Sequence, residues 1–156
     1  MHDSPAVQDT ILPVMKSFVV KLPITAAFRL FTSEIGRWWP LGTHSVFGEA
    51  ATTCAVDEQV GGRIYEVDAD GRQSEWGRIL SWEPPSLFAC SWYPGRNPDS
   101  AQELKVMFQS EADGTRVTLI HAGWERLGEQ GTASRANYEY GWDSVLEAYT
   151  DLARTH

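Results

Sequence analysis

Tyr138-Glu139-Tyr140-Gly141-Trp142-Asp143-Ser144-Val145-Leu146-Glu147-Ala148-Tyr149-Thr150-Asp151-Leu152-Ala153 lies near the end of the chain. Within it Tyr138, Trp142, Val145, Leu146, Tyr149, Leu152 and Ala153 recur at i, i+4, i+7, i+8, i+11, i+14 and i+15, which draws one wide apolar stripe along a helix. Thr132 and Ser134, just after Gly131, are the candidate N-caps. A helix with one apolar stripe needs a single surface to bury it against.

The upstream residues supply a sheet. Val14 to Leu22 reads as a first strand, and Pro23 then suits the first turn of a helix carrying Ile24, Ala27, Phe28 and Phe31. Gly36 ends that helix, and Trp38 to Gly48 is an irregular aromatic connection. Short strands follow at Thr52–Val56, Arg63–Val67, Glu75–Trp82, Leu87–Tyr93, Leu104–Gln109 and Thr115–Ala122. Asp70-Gly71 and Asp113-Gly114 are hairpin signals, and Pro84-Pro85 closes a strand because proline cannot donate to a ladder. Gly61-Gly62 marks a bulge or a close backbone approach. The order of elements predicts an α+β fold, an antiparallel sheet with the long helix on its concave face. One domain is expected over residues 13–156, after an N-terminal arm of residues 1–12.

Composition narrows the function classes. A chain of 156 residues carries 21 acidic against 13 basic side chains, a net charge of −8. With no cluster of Lys and Arg to neutralise phosphates, nucleic acid is not an expected partner. No apolar run reaches the ~18 residues of a membrane span. Met1 to Lys16 lacks the basic and apolar regions of a secretory signal, so a cytoplasmic protein is expected. Cys54 and Cys90 are too few for a disulfide framework and are expected as reduced, buried thiols. Seven Trp are many for one small domain, and Trp suits either a core or the wall of a concave site.

An ordered series of short motifs adds a family. It begins with Phe31-Thr32, Trp38-Trp39-Pro40, Val60-Gly61-Gly62-Arg63-Ile64 and Trp76-Gly77-Arg78-Ile79. It continues through Glu83-Pro84-Pro85, Ser91-Trp92, Gly114-Thr115-Arg116-Val117-Thr118-Leu119, His121, Gly123 and Gly141-Trp142. In this order the chain resembles the activator-of-heat-shock-protein-ATPase-like branch of the START/birch-pollen-allergen (SRPBCC) superfamily, over about residues 14 to 153. The resemblance implies a helix-grip fold. In it a curved antiparallel sheet of about six or seven strands wraps the long C-terminal helix, with short helices after the first strand and a cavity between sheet and helix. The superfamily hosts lipid carriers, hormone receptors, aromatase/cyclases and co-chaperone domains, so fold alone does not assign an activity.

The chemistry-bearing residues are few. Alternation puts Val117, Leu119 and His121 on one strand face, which the resemblance turns toward the cavity; His121 is the candidate acid/base, or a half-buried His bonded to a neighbour. His44 sits in the aromatic connection that the resemblance places at the cavity mouth. Alternation also puts Trp76, Arg78, Leu80 and Trp82 on one face. Asp57, Glu58, Glu66 and Asp68 look like strand-end and turn charge. No metal-ligand spacing, nucleophile elbow or phosphate loop occurs, and neither a metal nor a cofactor is expected. The leading expectation is a binding domain for a hydrophobic or aromatic small molecule. Its expected contacts are Trp38, Trp39, His44, Phe47, Trp92, His121, Trp124, Tyr138 and Trp142. The alternatives are a polyketide-cyclase-like or hydrolase-like enzyme using His121, and a co-chaperone-like module docking a partner on Trp76 and Trp82. A homodimer is compatible with the aromatic surface. The separate chaperone-binding domain of the eukaryotic activator has no counterpart in these residues, so a chaperone partner is not the first expectation.

Overall fold

The structure, a computed structural model, describes residues 11–156. Most of the expected arm, residues 1–10, lies outside the described residues. Ile11 packs on the core, and Arg135 donates to the carbonyls of Leu12 and Pro13 at 2.6 and 2.9 Å.

Seven strands form one antiparallel sheet: β1 (Val14–Val20), β2 (Ala51–Val56), β3 (Arg63–Asp68), β4 (Gln73–Glu83), β5 (Leu87–Trp92), β6 (Gln102–Glu111) and β7 (Gly114–Ala122). Their order is β1-β7-β6-β5-β4-β3-β2. A short helix, α1 (Ile24–Phe31), and 3-10 turns at Ile35–Arg37 and Gly48–Ala50 fill the connection from β1 to β2. The long helix α2 (Gly131–Arg154) buries Trp142, Val145, Leu146, Tyr149 and Ala153 on the sheet, the stripe that the sequence spacing draws. This is the helix-grip arrangement. No helix among the described residues is long and apolar enough to cross a membrane.

The start of α2 differs from expectation. Neither Thr132 nor Ser134 caps it; the helix begins at Gly131 with no side-chain cap, continuing directly from the 3-10 turn Trp124–Gln130. A Cβ on residue 131 would stand 2.4 Å from the Trp124 carbonyl oxygen. Close packing against that carbonyl, rather than a capping hydroxyl, sets the boundary.

Strand β4 also departs from simple alternation, with consequences for function. Ile64 opposes Gly77 while Tyr65 opposes Glu75, which leaves Trp76 as an extra residue. Ile79 opposes Cys90 while Ser81 opposes Ala89, which leaves Leu80 as a second. Each extra residue reverses the phase of the strand. Trp76 and Ile79 are therefore both buried at 1% exposure, and Leu80 is 50% exposed. Trp82 packs edge-on against Phe28. The face expected to carry Trp76, Arg78, Leu80 and Trp82 together does not exist, and the docking patch built on Trp76 and Trp82 goes with it.

The interior divides into two aromatic halves. In one, Phe28 and Phe31 from α1 insert against Phe88, Phe108 and Tyr149 with ring centroids 4.9–6.2 Å apart. Tyr149 donates its hydroxyl proton to the Ala27 carbonyl at 2.9 Å, which ties α2 to α1. Offset and edge-on pairs of this kind add roughly 0.5–1.5 kcal/mol each beyond their burial. The other half is dominated by Trp and is not filled. Trp38 faces the closed half, touching Phe31 and Tyr149. Its neighbour Trp39 faces the open one, touching Trp76, Trp92 and Trp142.

Candidate functional site: a Trp-walled cavity

The open half is a cavity of about 440 Å³, a size that accommodates a small organic molecule. Trp76 of β4, Trp92 of β5, Tyr138 and Trp142 of α2, and Trp39 form its walls. Residues 43–46 pass over one side as a strap, and Pro94 and Gly95 bound another. No carboxylate and no permanently charged side chain lines it among the described residues.

All four indole N–H groups of these walls are committed to the protein. Trp39 donates to the His44 carbonyl at 2.7 Å, and Trp92 to the Tyr138 hydroxyl at 3.2 Å. Trp76 donates to Glu66 Oε1 at 2.5 Å, and Trp142 to His121 Nδ1 at 3.0 Å. Because a buried N–H demands an acceptor, each ring is held at a fixed tilt and shows the cavity only carbon. The walls offer shape and π-density; the polar groups of the lining belong to the strap, Asn137 and Tyr138.

Two of those acceptors are buried ionisable residues. Glu66 is 0% exposed. Besides Trp76 it accepts from the backbone N–H groups of Val46 at 2.7 Å and Phe47 at 3.0 Å. Three N–H donors on two carboxylate oxygens satisfy it and tie the strap to the sheet. Nearby, burial first and then the Glu66 charge push the Cys54 thiol up to about 12, so it stays protonated. Glu66 was expected as strand-end charge. Its signal was its phase: it alternates with Ile64 and Asp68, all three buried, on the inward face of β3.

His121 is the second. It faces inward at 0% exposure with Val117 and Leu119, on the strand face that alternation assigns. Both ring nitrogens are occupied: Nδ1 accepts from Trp142, and Nε2 lies 3.3 Å from Gln102 Oε1. Since Nδ1 accepts, the proton sits on Nε2 and donates to Gln102. Burial pushes the ring's pKa down to about 3, so it is neutral near pH 7. Its backbone carbonyl accepts from Trp124 Nε1 at 2.9 Å, and the Trp124 ring lies 4.1 Å from the imidazole. His121 stands behind Trp142 and Tyr138, outside the cavity lining.

The sequence-expected contacts thus fall into two groups. Trp39, His44, Trp92, Tyr138 and Trp142 line the cavity. Trp38, Phe47, His121 and Trp124 lie outside the lining: Trp38 donates to the Leu30 carbonyl at 2.7 Å, and the Phe47 ring lies 5.7 Å from the Arg72 guanidinium carbon. Trp76 joins the lining only because of the β4 bulges. Val46 and Asn137 join it from exposed positions that carry no sequence signal. Cys54 and Cys90 are buried and unpaired. Among the described residues no cluster of His, Cys, Asp and Glu is arranged to hold a metal ion.

Fold and site together define a helix-grip domain with an aromatic-walled cavity. The chain belongs to the Activator of Hsp90 ATPase homolog 1-like protein family, whose model matches residues 21–153. No curated protein matches it. Among solved structures it is similar to an anthrahydroquino-Gama-pyrone synthase, Txn09, complexed with SUM. That likeness has 30% identity over 92% of this chain and 97% of the other, with a TM-score of 0.60. The AHSA1-like protein from Aeromonas hydrophila shares the fold at 19% identity, covering 92% of this chain and 93% of that one, with a TM-score of 0.66. Protein NE0264 from Nitrosomonas europaea does so at 18% identity, covering 92% and 95%, with a TM-score of 0.66.

Proposed function

We propose that the chain is a cytoplasmic binding protein for a flat, aromatic, oxygen-bearing small molecule. One observation carries this reading: four indoles present only carbon to a cavity of about 440 Å³ because every one of their N–H groups is already bonded. Such walls favour a planar π-system stacked or edge-on against them. The polar groups left for the ligand's oxygens are His44, Thr43 and Asn137 at the opening and the hydroxyl of Tyr138.

A second reading, ring closure on such a ligand, is favoured by the 30% identity with the pyrone synthase along nearly the whole chain. The acid/base group in that reading is not His121, whose nitrogens are both taken.

Titration with hydroxylated anthraquinones, flavonoids and coumarins, followed by Trp fluorescence and by mass analysis of the recovered compound, tests both readings. Saturable quenching with the compound returned unchanged supports binding. Quenching with an altered compound supports ring closure. Absence of quenching by any planar aromatic overturns both.

A further inference from the structure

We infer that His44 is the proton acceptor of the cavity, so that the site takes phenols and holds the phenolic oxygen as its anion. This inference rests on the aromatic-ligand reading above and adds the ionisable hydroxyl to it.

The geometry starts at Thr43. Its Oγ1 lies 2.8 Å from His44 Nδ1 and 3.4 Å from the Pro40 carbonyl oxygen. A hydroxyl has one proton to give. The Pro40 carbonyl can only accept, and both contacts are satisfied together when His44 Nδ1–H donates to Thr43 Oγ1 and Thr43 O–H to Pro40. That order leaves Nε2 as a bare lone pair. Three bonds hold the backbone beneath the ring: Trp39 Nε1 on the His44 carbonyl, His44 N–H on the Pro40 carbonyl at 2.9 Å, and the Glu66 clamp two residues on. The ring's Cδ2 edge, next to Nε2, faces Gly141 of α2, where a Cβ would lie 3.9 Å away. A side-chain carbon at 141 would thus touch the imidazole edge at ordinary van der Waals distance.

The surroundings favour an anion. Tyr138 accepts from Trp92, so its own proton is free to donate to a ligand oxygen. Burial raises the Tyr138 pKa, and Arg96 in the loop after β5 acts on it electrostatically in the opposite sense. The titratable and charged groups around His44 are therefore Tyr138 from α2, Arg96 from the 94–97 loop and Glu66 under the strap. Glu66 is engaged by three N–H donors, and Arg96 donates to Gln130 Oε1 at 3.1 Å outside the lining; the Tyr138 hydroxyl donor remains for the ligand. In the transfer the phenol O–H bond breaks, an Nε2–H bond forms, and the electron pair stays on oxygen. The resulting imidazolium keeps its Nδ1–H bond to Thr43, so no rearrangement accompanies the step.

The test uses umbelliferone, a planar phenol whose neutral and anionic forms absorb at different wavelengths. Trp quenching reports binding, and absorbance of the bound probe across pH reports its ionisation. The expected midpoint for the bound probe lies about 1 pH unit or more below that of free umbelliferone, within the usual range for an adjacent positive charge. His44→Gln keeps a hydrogen-bonding side chain but no proton acceptor. It is expected to retain quenching while the midpoint returns to or above the free value. Thr43→Val, which releases Nδ1, is expected to give an intermediate midpoint. A bound midpoint equal to or above the free one in the wild type, or a lowered midpoint that survives in His44→Gln, overturns the inference and leaves the aromatic cavity standing. Absence of quenching by umbelliferone overturns the inference through the reading beneath it.

Discussion

Trp142 and His121 share a bond in which the indole N–H donates to imidazole Nδ1 at 3.0 Å, and that bond fixes the histidine as its Nε2–H tautomer. A cavity-wall residue and a buried base thereby hold each other in place. Protonating the ring would turn Nδ1 from acceptor to donor against a donor, at a residue that is fully buried.

Stability should therefore fall in mild acid. His121 has a folded value of about 3 against an ordinary 6.5, with burial as the cause. Between those values the unfolded chain binds a proton that the folded chain refuses, so stability rises with pH across the window. The contribution is complete above pH 6.5 and is lost as pH falls, at up to about 1.4 kcal/mol per unit. Urea melts from neutral pH to about pH 4.5 should show a loss of roughly 2 kcal/mol in the wild type beyond that in His121→Gln. Parallel slopes in the two proteins would refute the assignment.

Glu66→Gln should loosen the strap without dismantling the fold. The amide keeps one acceptor oxygen and sets an NH₂ group against a donor. An unsatisfied buried group costs about 1–3 kcal/mol. Hydrogen exchange at the Val46 and Phe47 amides should accelerate more than exchange in β6 and β7, and umbelliferone binding should weaken. Uniform acceleration across the sheet would mean that Glu66 serves the core instead.

Gly141→Ala should separate stability from binding. Alanine is better than glycine inside a helix by about 0.8–1.0 kcal/mol, and its methyl would meet nothing closer than 3.9 Å. The variant should melt higher than wild type. With the methyl facing the His44 ring edge, umbelliferone should bind about fivefold more weakly, a change of roughly 1 kcal/mol. Unchanged affinity would show that ligand does not pass between the strap and α2.

Gly77→Ala should be among the most damaging changes in the chain. A Cβ there would lie 1.8 Å from the Ser91 carbonyl oxygen, so β4 and β5 would have to separate. Gly42→Ala, with nothing within 4 Å of its Cβ, is the control. Expression and thermal melting should show a large loss for the first and a change within about 0.5 kcal/mol for the second. Equal melting would place the close approach elsewhere.

The frame of the molecule was legible because it follows periodicity. The Tyr138–Ala153 stripe, the two Asp-Gly hairpins and the inward Val117-Leu119-His121 face all obey a single repeat, and burial enforces that repeat along each element. The site was less legible because it depends on exceptions to repeats. Trp76 lines the cavity through a bulge that shifts strand phase, and no local signal in Glu75-Trp76-Gly77 marks where the ladder skips. His121 was visible as a buried histidine, but its two partners, Gln102 and Trp142, lie 19 and 21 residues away. Only tertiary structure shows that both nitrogens are spent. Glu66 was within reach, since an acid in phase with Ile64 on an inward face calls for donors that must come from elsewhere.

Glu66 grips the strap by main-chain N–H groups alone, at Val46 and Phe47. A clamp of that kind is blind to side-chain identity and intolerant only of proline, which has no N–H to offer. Positions 46 and 47 can therefore be exchanged while the mounting stays fixed, with residue 46 lining the cavity each time. Altering the cavity wall there leaves the frame untouched, which makes this short stretch a natural cassette for diversification, in nature or at the bench.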